Sequence, residues 1–215
     1  MIKLSVTSKL DGIKSWSLNA LDTCPASKLK NGQLVDACKG CYATTGNYRS
    51  PNVKAPREHN KEDWKRKSWV DDMVKALSND RFFRWFDSGD MYSIKLAIKI
   101  YQVMELTPWV NHWIPTRMAK FNKFKIIIDK MQQLENVMVR FSSDNIDGSL
   151  SDSANGSIII ANSSQNHSNA FECKAYENDG KCNGCRACYS KDVPLVAYKA
   201  HGVKMNKVIR LLQVA

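Results

Sequence analysis

Seven cysteines fall into two sets, and their spacing is the strongest chemical signal in the chain. The first set is Cys24, Cys38 and Cys41, spaced C-x13-C-x2-C. Two thiolates with two residues between them can grip one metal through a tight turn, and Gly40 permits that turn. Three thiolates leave a position open. That suits an iron–sulfur cluster with one free iron, or a zinc ion with a water or a distant ligand. His59 is a fourth-ligand candidate, although a lone surface histidine more often has no such role. In the second set, Cys173 precedes the run Cys182, Cys185 and Cys188. The spacing C-x2-C-x2-C wraps three thiolates round one centre, as in bacterial ferredoxins, and Cys173 supplies a fourth. His201 is the substitute ligand if the metal is zinc. The bland alternatives are three buried free cysteines of the core at the first set and a redox-active thiol cluster without metal at the second.

Polar residues at strand ends form a third constellation. Asp87-Ser88-Gly89-Asp90 follows an aromatic run, and a carboxylate there can act as base or nucleophile. Asx-turn and capping duty is the competing reading. Arg117, after Pro115-Thr116, suits a phosphate or carboxylate. Arg140, Ser142 and Asp144 share the next tip. The segment Lys61 to Lys67 interleaves Trp64 with cations. With Lys54 and Arg57 it could track phosphates, but a solvated amphipathic face over a core tryptophan explains it better.

These residues need elements to position them. Trp64 to Leu77 reads as a helix, with Trp69, Val70, Met73, Val74 and Leu77 at helical spacing. Phe82 to Phe86 reads as a buried strand. Ser93 caps a helix from Ile94 to Leu106, with Ile94, Ala97, Ile98, Tyr101 and Met104 as its apolar stripe. His112 to Pro115 is a strand, Phe124 to Leu134 a helix, and Val137 to Phe141 and Ser157 to Ala161 are strands. The last is followed by the polar tip Asn162-Ser163-Ser164-Gln165. Ile2 to Val6 and Ser15 to Leu18 are weaker strands. Alternating strand and helix is the rhythm of parallel sheets and barrels, where sites gather at the C-terminal strand ends.

The expected architecture is α/β: one domain over 1–215 with a partial TIM-barrel-like βα core at 61–165. A loop-rich first cysteine region (1–60) precedes the core. A second cysteine region with a closing helix (166–215) follows it, and residues 142–156 form a loop. A chain of 215 residues can bury a substantial core. The net charge of +11 favours a polyanion, nucleic acid or nucleotide first. No run approaches the length of a membrane span, and the N-terminus lacks the apolar region of a signal peptide. The cytoplasm is the expected location, where clustered cysteines bind metal or do chemistry rather than form disulfides.

Three stretches carry a family resemblance: CPASKLKNGQLVDACKGCYATTGNY at 24–48, FRWFDSGDMYS at 83–93 and GKCNGCRACYSKDVP at 180–194. Together they resemble the phage gene product 88 family across nearly the whole chain. A more distant resemblance is to the phage gene product 37/68 proteins, which look like radical S-adenosylmethionine (SAM) enzymes built on partial TIM barrels. That likeness implies a four-iron cluster (4Fe-4S) on Cys24, Cys38 and Cys41 whose open iron binds SAM. It also implies that Ser88, Gly89 and Asp90 meet the SAM amino group, with Arg117 beside them. The superfamily spacing is C-x3-C-x2-C, so the first interval here is longer. A further likeness is to the guanine-exchanging transglycosylases that insert a 7-deazaguanine. They carry an Asp-Ser-Gly-Gly element, a Pro-Thr-Arg element and a Cys3His zinc site, as echoed by Asp87-Ser88-Gly89, Pro115-Thr116-Arg117 and Cys182/Cys185/Cys188/His201.

The leading expectation is thus an iron–sulfur, radical SAM-like enzyme acting on nucleic acid or a nucleotide. Its catalytic candidates are Asp87, Ser88, Asp90, Arg117, Ser142 and Asp144, and its metal ligands are the seven cysteines in one or two clusters. Two alternatives stand: a zinc-dependent base-exchange enzyme with Asp87 or Asp144 as nucleophile, and a non-enzymatic, zinc-stapled nucleic-acid-binding protein.

Overall fold

A computed structural model describes residues 1–150, 155–161 and 169–214. The expected tip Asn162-Ser163-Ser164-Gln165 lies outside these residues, as does 151–154 of the expected loop. The elements run β1 (Ser5–Val6), β2 (Lys14–Trp16), α1 (Asp36–Lys39), α2 (Pro51–Asp63), α3 (Trp69–Ala76), β3 (Phe82–Trp85), α4 (Ile94–Leu106) and β4 (Asn111–Thr116). Then come α5 (Asn122–Gln133), β5 (Val137–Ser142), β6 (Gly156–Ile160), β7 (Phe171–Glu172), β8 (Leu195–Lys199) and α6 (Val203–Val214).

Mixed α/β architecture is what the alternation of periods demands, and the strands form one eight-stranded sheet in the order β1-β2-β3-β4-β5-β6-β8-β7. Every neighbouring pair is parallel except β1 with β2. From β2 to β6 the strands lie side by side in chain order, so each crossover moves the chain one strand along the sheet.

Period-two alternation sorts the side chains to two faces. On β3, Phe83 and Trp85 join the core while Phe82 and Arg84 face the other way. The core packs these residues with Trp16, Trp69, Met73, Leu96, Ile100, Phe124, Ile128 and Val139 between sheet and helices α3 to α5. Trp16 sits edge-on to Trp69, Trp85 and Phe86 at 5.4, 6.1 and 5.9 Å between centroids. Such pairs add about 0.5–1.5 kcal/mol each beyond the area they bury.

The opposite face carries polar and aromatic groups. Arg84 on β3 sits over the Trp113 ring of β4, 4.6 Å from its centroid. The turn Ala187–Tyr189 packs on β4 and β5 over this face. Tyr189 lies edge-on to Trp113 at 5.7 Å and to Phe82 at 5.2 Å.

Several expectations change in detail. The helix expected from Trp64 starts at Trp69. Residues 51–60, expected to be loop-rich, belong to α2. The buried positions of α2 are Arg57, Asn60 and Asp63, so it has no apolar stripe to read. On α4 the buried residues are Leu96, Ala97, Ile100, Val103 and Met104, while Ile98 is 42% exposed. The polar residues of that helix, Lys95, Lys99, Gln102 and Glu105, share the opposite side, and Ile98 lies among them. Strands β7 and β8 were not anticipated. No helix among the described residues is long and apolar enough to cross a membrane.

Candidate metal centres and strand-tip site

Parallel strands put their C-terminal ends at one edge, and the first cysteine set gathers there. Cys24 follows β2. Cys38 lies in α1 and Cys41 just past it. The α1 segment is tied to the tip beyond β5, where Ala37 N–H donates to Asp144 O at 2.8 Å. Burial, and then the carboxylate of Asp90, push the Cys24 thiol up to about 12, with Cys38 and Cys41 adding to the rise. Burial also raises Cys38 and Cys41, against the pull of Arg117 on both. The three thiols therefore share one electrostatic neighbourhood although their spacing in sequence is wide.

Cations ring this set. Lys120 favours the Cys38 thiolate and Lys204 that of Cys41. Lys204 belongs to α6 and donates to Thr44 Oγ1 at 3.0 Å. Sequence reasoning missed it, because nothing in the chain links residue 204 to Cys41. Gly40 makes the approach possible: a Cβ there would lie 2.7 Å from Met205 Cα.

The tip after β3 is a brace. Asp87 accepts from Tyr48 Oη at 2.6 Å and pairs with Arg57 at 3.2 Å and Arg84 at 3.1 Å. Ser88 Oγ donates to Leu18 O and accepts from Arg57 Nε, both at 2.6 Å. Gly89 has φ +83°, and a Cβ there would meet Leu18 Cβ at 2.6 Å. Asp90 is buried and accepts from Thr116 Oγ1 at 2.7 Å, Met91 N at 2.8 Å and Arg117 N at 3.0 Å. Burial raises its pKa and these donors oppose the rise.

Arg117 and Asp144 are less fully engaged. Arg117 Nη2 donates to Ser143 O at 2.6 Å, while its Nε lies 3.4 Å from Asp144 Oδ1. Both of those last atoms are buried without a hydrogen bond. Asp144 Oδ2 pairs with Lys120. Ser142 closes β5 just before them. A cavity of about 270 Å³ opens beside this group, lined by Leu29, Val35, Asp36, Ser143, Asp144, Asn145 and Ser149.

The second set lies against the β1–β2 turn, where β2 begins. Cys182 N–H donates to Lys9 O at 2.8 Å, and Gly184 N–H to Asp11 Oδ2 at 3.0 Å. Positive φ at Asn183 and Gly184 folds the Cys182–Cys185 turn, closed by Cys185 N–H to Cys182 O at 2.9 Å. Burial pushes Cys182 up to about 11, and Cys173 and Cys188 add to it against Lys9. Cys173 N–H bonds Ala197 O, and Cys188 Sγ lies 3.0 Å from Tyr198 Oη. Cys185 is exposed. This loop spans from the β1–β2 end of the sheet to the β7–β8 end.

All seven thiols are free. Among the described residues, no three His, Cys, Asp or Glu side chains stand close enough together to hold a metal ion. His59 is on α2, bonded to Met1 O at 3.0 Å and 3.5 Å from Asp63, so its contacts belong to the N-terminus. The His201 ring stacks on Tyr176 at 5.5 Å. Several groups of the basic segment are already engaged. Trp64 is buried and bonds Tyr92 Oη, and Arg57 is buried in the Asp87 brace. Lys61, Lys65 and Arg66 pair with Asp22, Glu62 and Asp63 respectively.

No curated protein and no solved structure matches this chain. The family model described as Gene product 88 matches residues 3–210, which is nearly the full length, and the chain belongs to that family.

Proposed function

We propose that this protein is a thiolate-metal enzyme of radical SAM type, with an iron–sulfur cluster on Cys24, Cys38 and Cys41, acting on a nucleic acid or nucleotide. The observation that carries the reading is that Cys24, Cys38 and Cys41 share one electrostatic neighbourhood with Asp90, Arg117 and Asp144 near the C-terminal ends of successive parallel strands. In barrel-type folds that end is where chemistry sits. The sequential order of β2 to β6 with β8 favours a partial TIM barrel over a doubly wound sheet.

The donor chemistry suits a cluster, with unbridged thiols and cations close by to balance thiolate charge, although no three ligating side chains among the described residues stand close enough to close on a metal. Such a cluster, held by Cys24, Cys38 and Cys41, would supply an electron for reductive cleavage of a bound cofactor. The chain's own residues do the rest. Asp87 and Ser88 hold Arg57 and Leu18, which fixes the β3 tip. Asp90 fixes the β4 tip through Thr116 and the Arg117 amide, and so aims the Arg117 guanidinium across the site. The adjoining cavity is of a size for a base or small nucleoside, and its hydroxyl, amide and carboxylate lining suits hydrogen-bond donors on one. The net charge of +11 suits the phosphates of such a substrate. The base-exchange reading is weaker, because Asp87 is engaged by two arginines and a tyrosine and the first thiol set has no task in it.

The test is purification without oxygen. Brown protein absorbing near ~400 nm and containing iron supports the proposal. Cys24→Ser and Asp90→Ala should then each abolish SAM cleavage, the latter with iron retained. Colourless protein carrying zinc alone would falsify it.

A further inference from the structure

The inner face of the sheet carries one cation whose partners are all neutral. Arg140, on β5, is 0% exposed. Its Nε donates to Cys188 O at 2.9 Å. Nη1 reaches Gly156 O and Pro194 O, both at 3.3 Å. Nη2 reaches Ala187 O, Val193 O and Ser190 O at 2.7, 2.8 and 3.1 Å. Five of these six carbonyls belong to the stretch from Ala187 to Pro194, which carries Cys188. Arg57, Arg66, Arg84, Arg117 and Arg186 each pair with an aspartate. Arg140 has no carboxylate partner among the described residues. Carbonyl dipoles solvate a guanidinium without cancelling its charge, and a buried charge without a counter-ion is strongly disfavoured. The ionisable groups that act on it are Cys188 and Tyr198, themselves in contact at 3.0 Å.

We propose that Arg140 is the counter-charge of a metal centre on Cys173, Cys182, Cys185 and Cys188. Four thiolates around a divalent ion leave a net charge of −2, and a buried cation beside Cys188 balances part of it. The six carbonyl bonds make the same side chain the peg that fixes the Cys188 loop. Arg140 is thus a positioning residue that also sets the charge the centre can bear. This inference rests on reading the second set as a metal centre, for which the four thiols must close further than they stand in the structure.

The experiment uses the full chain with Cys24, Cys38 and Cys41 replaced by serine, so that only the second set is read. Cobalt(II) is the probe, because its sulfur charge-transfer absorption reports thiolate ligation directly. Arg140→Met should weaken cobalt affinity about tenfold or more, in the range seen when groups supporting metal ligands are removed. Arg140→Lys keeps the charge but cannot make all six bonds, and it should bind within about threefold of the parent. A peg without an electrostatic task predicts the reverse, lysine failing as methionine does. Should Arg140→Met not fold, the lysine variant decides alone: an affinity tenfold below the parent overturns the proposal. So does a methionine variant with parental affinity. A parent that takes up no cobalt would sink the metal reading of the second set, and the role of Arg140 with it.

Discussion

Asp90 and His112 are both buried polar groups, and a proton does different things to each. Asp90 is framed by three donors at a strand tip, where it organises the site. His112 sits in the core between Trp85 and Thr107. The Trp85 indole donates to Nδ1 at 3.2 Å, so Nε2 carries the hydrogen and faces Thr107 Oγ1 at 2.8 Å. Burial holds its pKa down to about 3, from 6.5. Unfolded, the imidazole takes a proton as the pH falls below 6.5; folded, it stays neutral until about 3. Stability from this group is therefore full above 6.5 and is lost as the pH falls through that interval. The slope is about 1.4 kcal/mol per pH unit, so roughly 2 kcal/mol is lost on going to about pH 5. Urea denaturation at the two pH values should show this loss in the native protein. His112→Asn, which has no proton to take up there, should flatten it. An unchanged pH dependence in the variant would assign the acid sensitivity elsewhere. In the sequence, His112 could be placed on a strand but not in the core, since its partners come from β3 and the end of α4.

Among the elements, legibility followed periodicity. β3, β4, β5, α4 and α5 were all visible because alternation or helical spacing of apolar residues marks a buried face. α2 was not, since its buried face is Arg57, Asn60 and Asp63 and its partners are polar groups at Ser17, Ser88 and Asp87. The same holds for the site. The seven cysteines and the strand tips were legible as residues. The roles of Ser88 and Asp87 as internal braces were not, because Arg57 arrives from a segment that reads as loop. The α1–α6 contact depends on Gly40 having no side chain. Gly40→Ala should push Met205 away and detach α6, at a cost of about 1–3 kcal/mol. Amide exchange across residues 203–212 should quicken while that of α4 and α5 stays as it was. A uniform change would mean that α6 is not an independent flap.

At the scale of the whole molecule, the second cysteine loop is a clasp between the two ends of an open sheet. One end is fixed through Lys9 and Asp11, the other through Ala197 and Tyr198. With a metal centre in the clasp, replacing Cys182 and Cys188 together by serine should lower the melting temperature by more than about 5 °C. It should also free β1 and β7 as edges that pair with other chains. Concentration-dependent oligomers in size-exclusion chromatography would register this, and a monomeric variant with native melting would show the clasp to be dispensable.

The closing contacts on both thiol sets join residues far apart in time as well as in sequence. Asp11 meets Gly184 across 173 positions, and Thr44 meets Lys204 across 160. During translation, Cys24, Cys38 and Cys41 leave the ribosome long before α6 exists to cover them. The nascent protein thus exposes three bare sulfurs for most of its synthesis, and whatever loads or shields them in the cell must act on an unfinished chain or wait for its last helix.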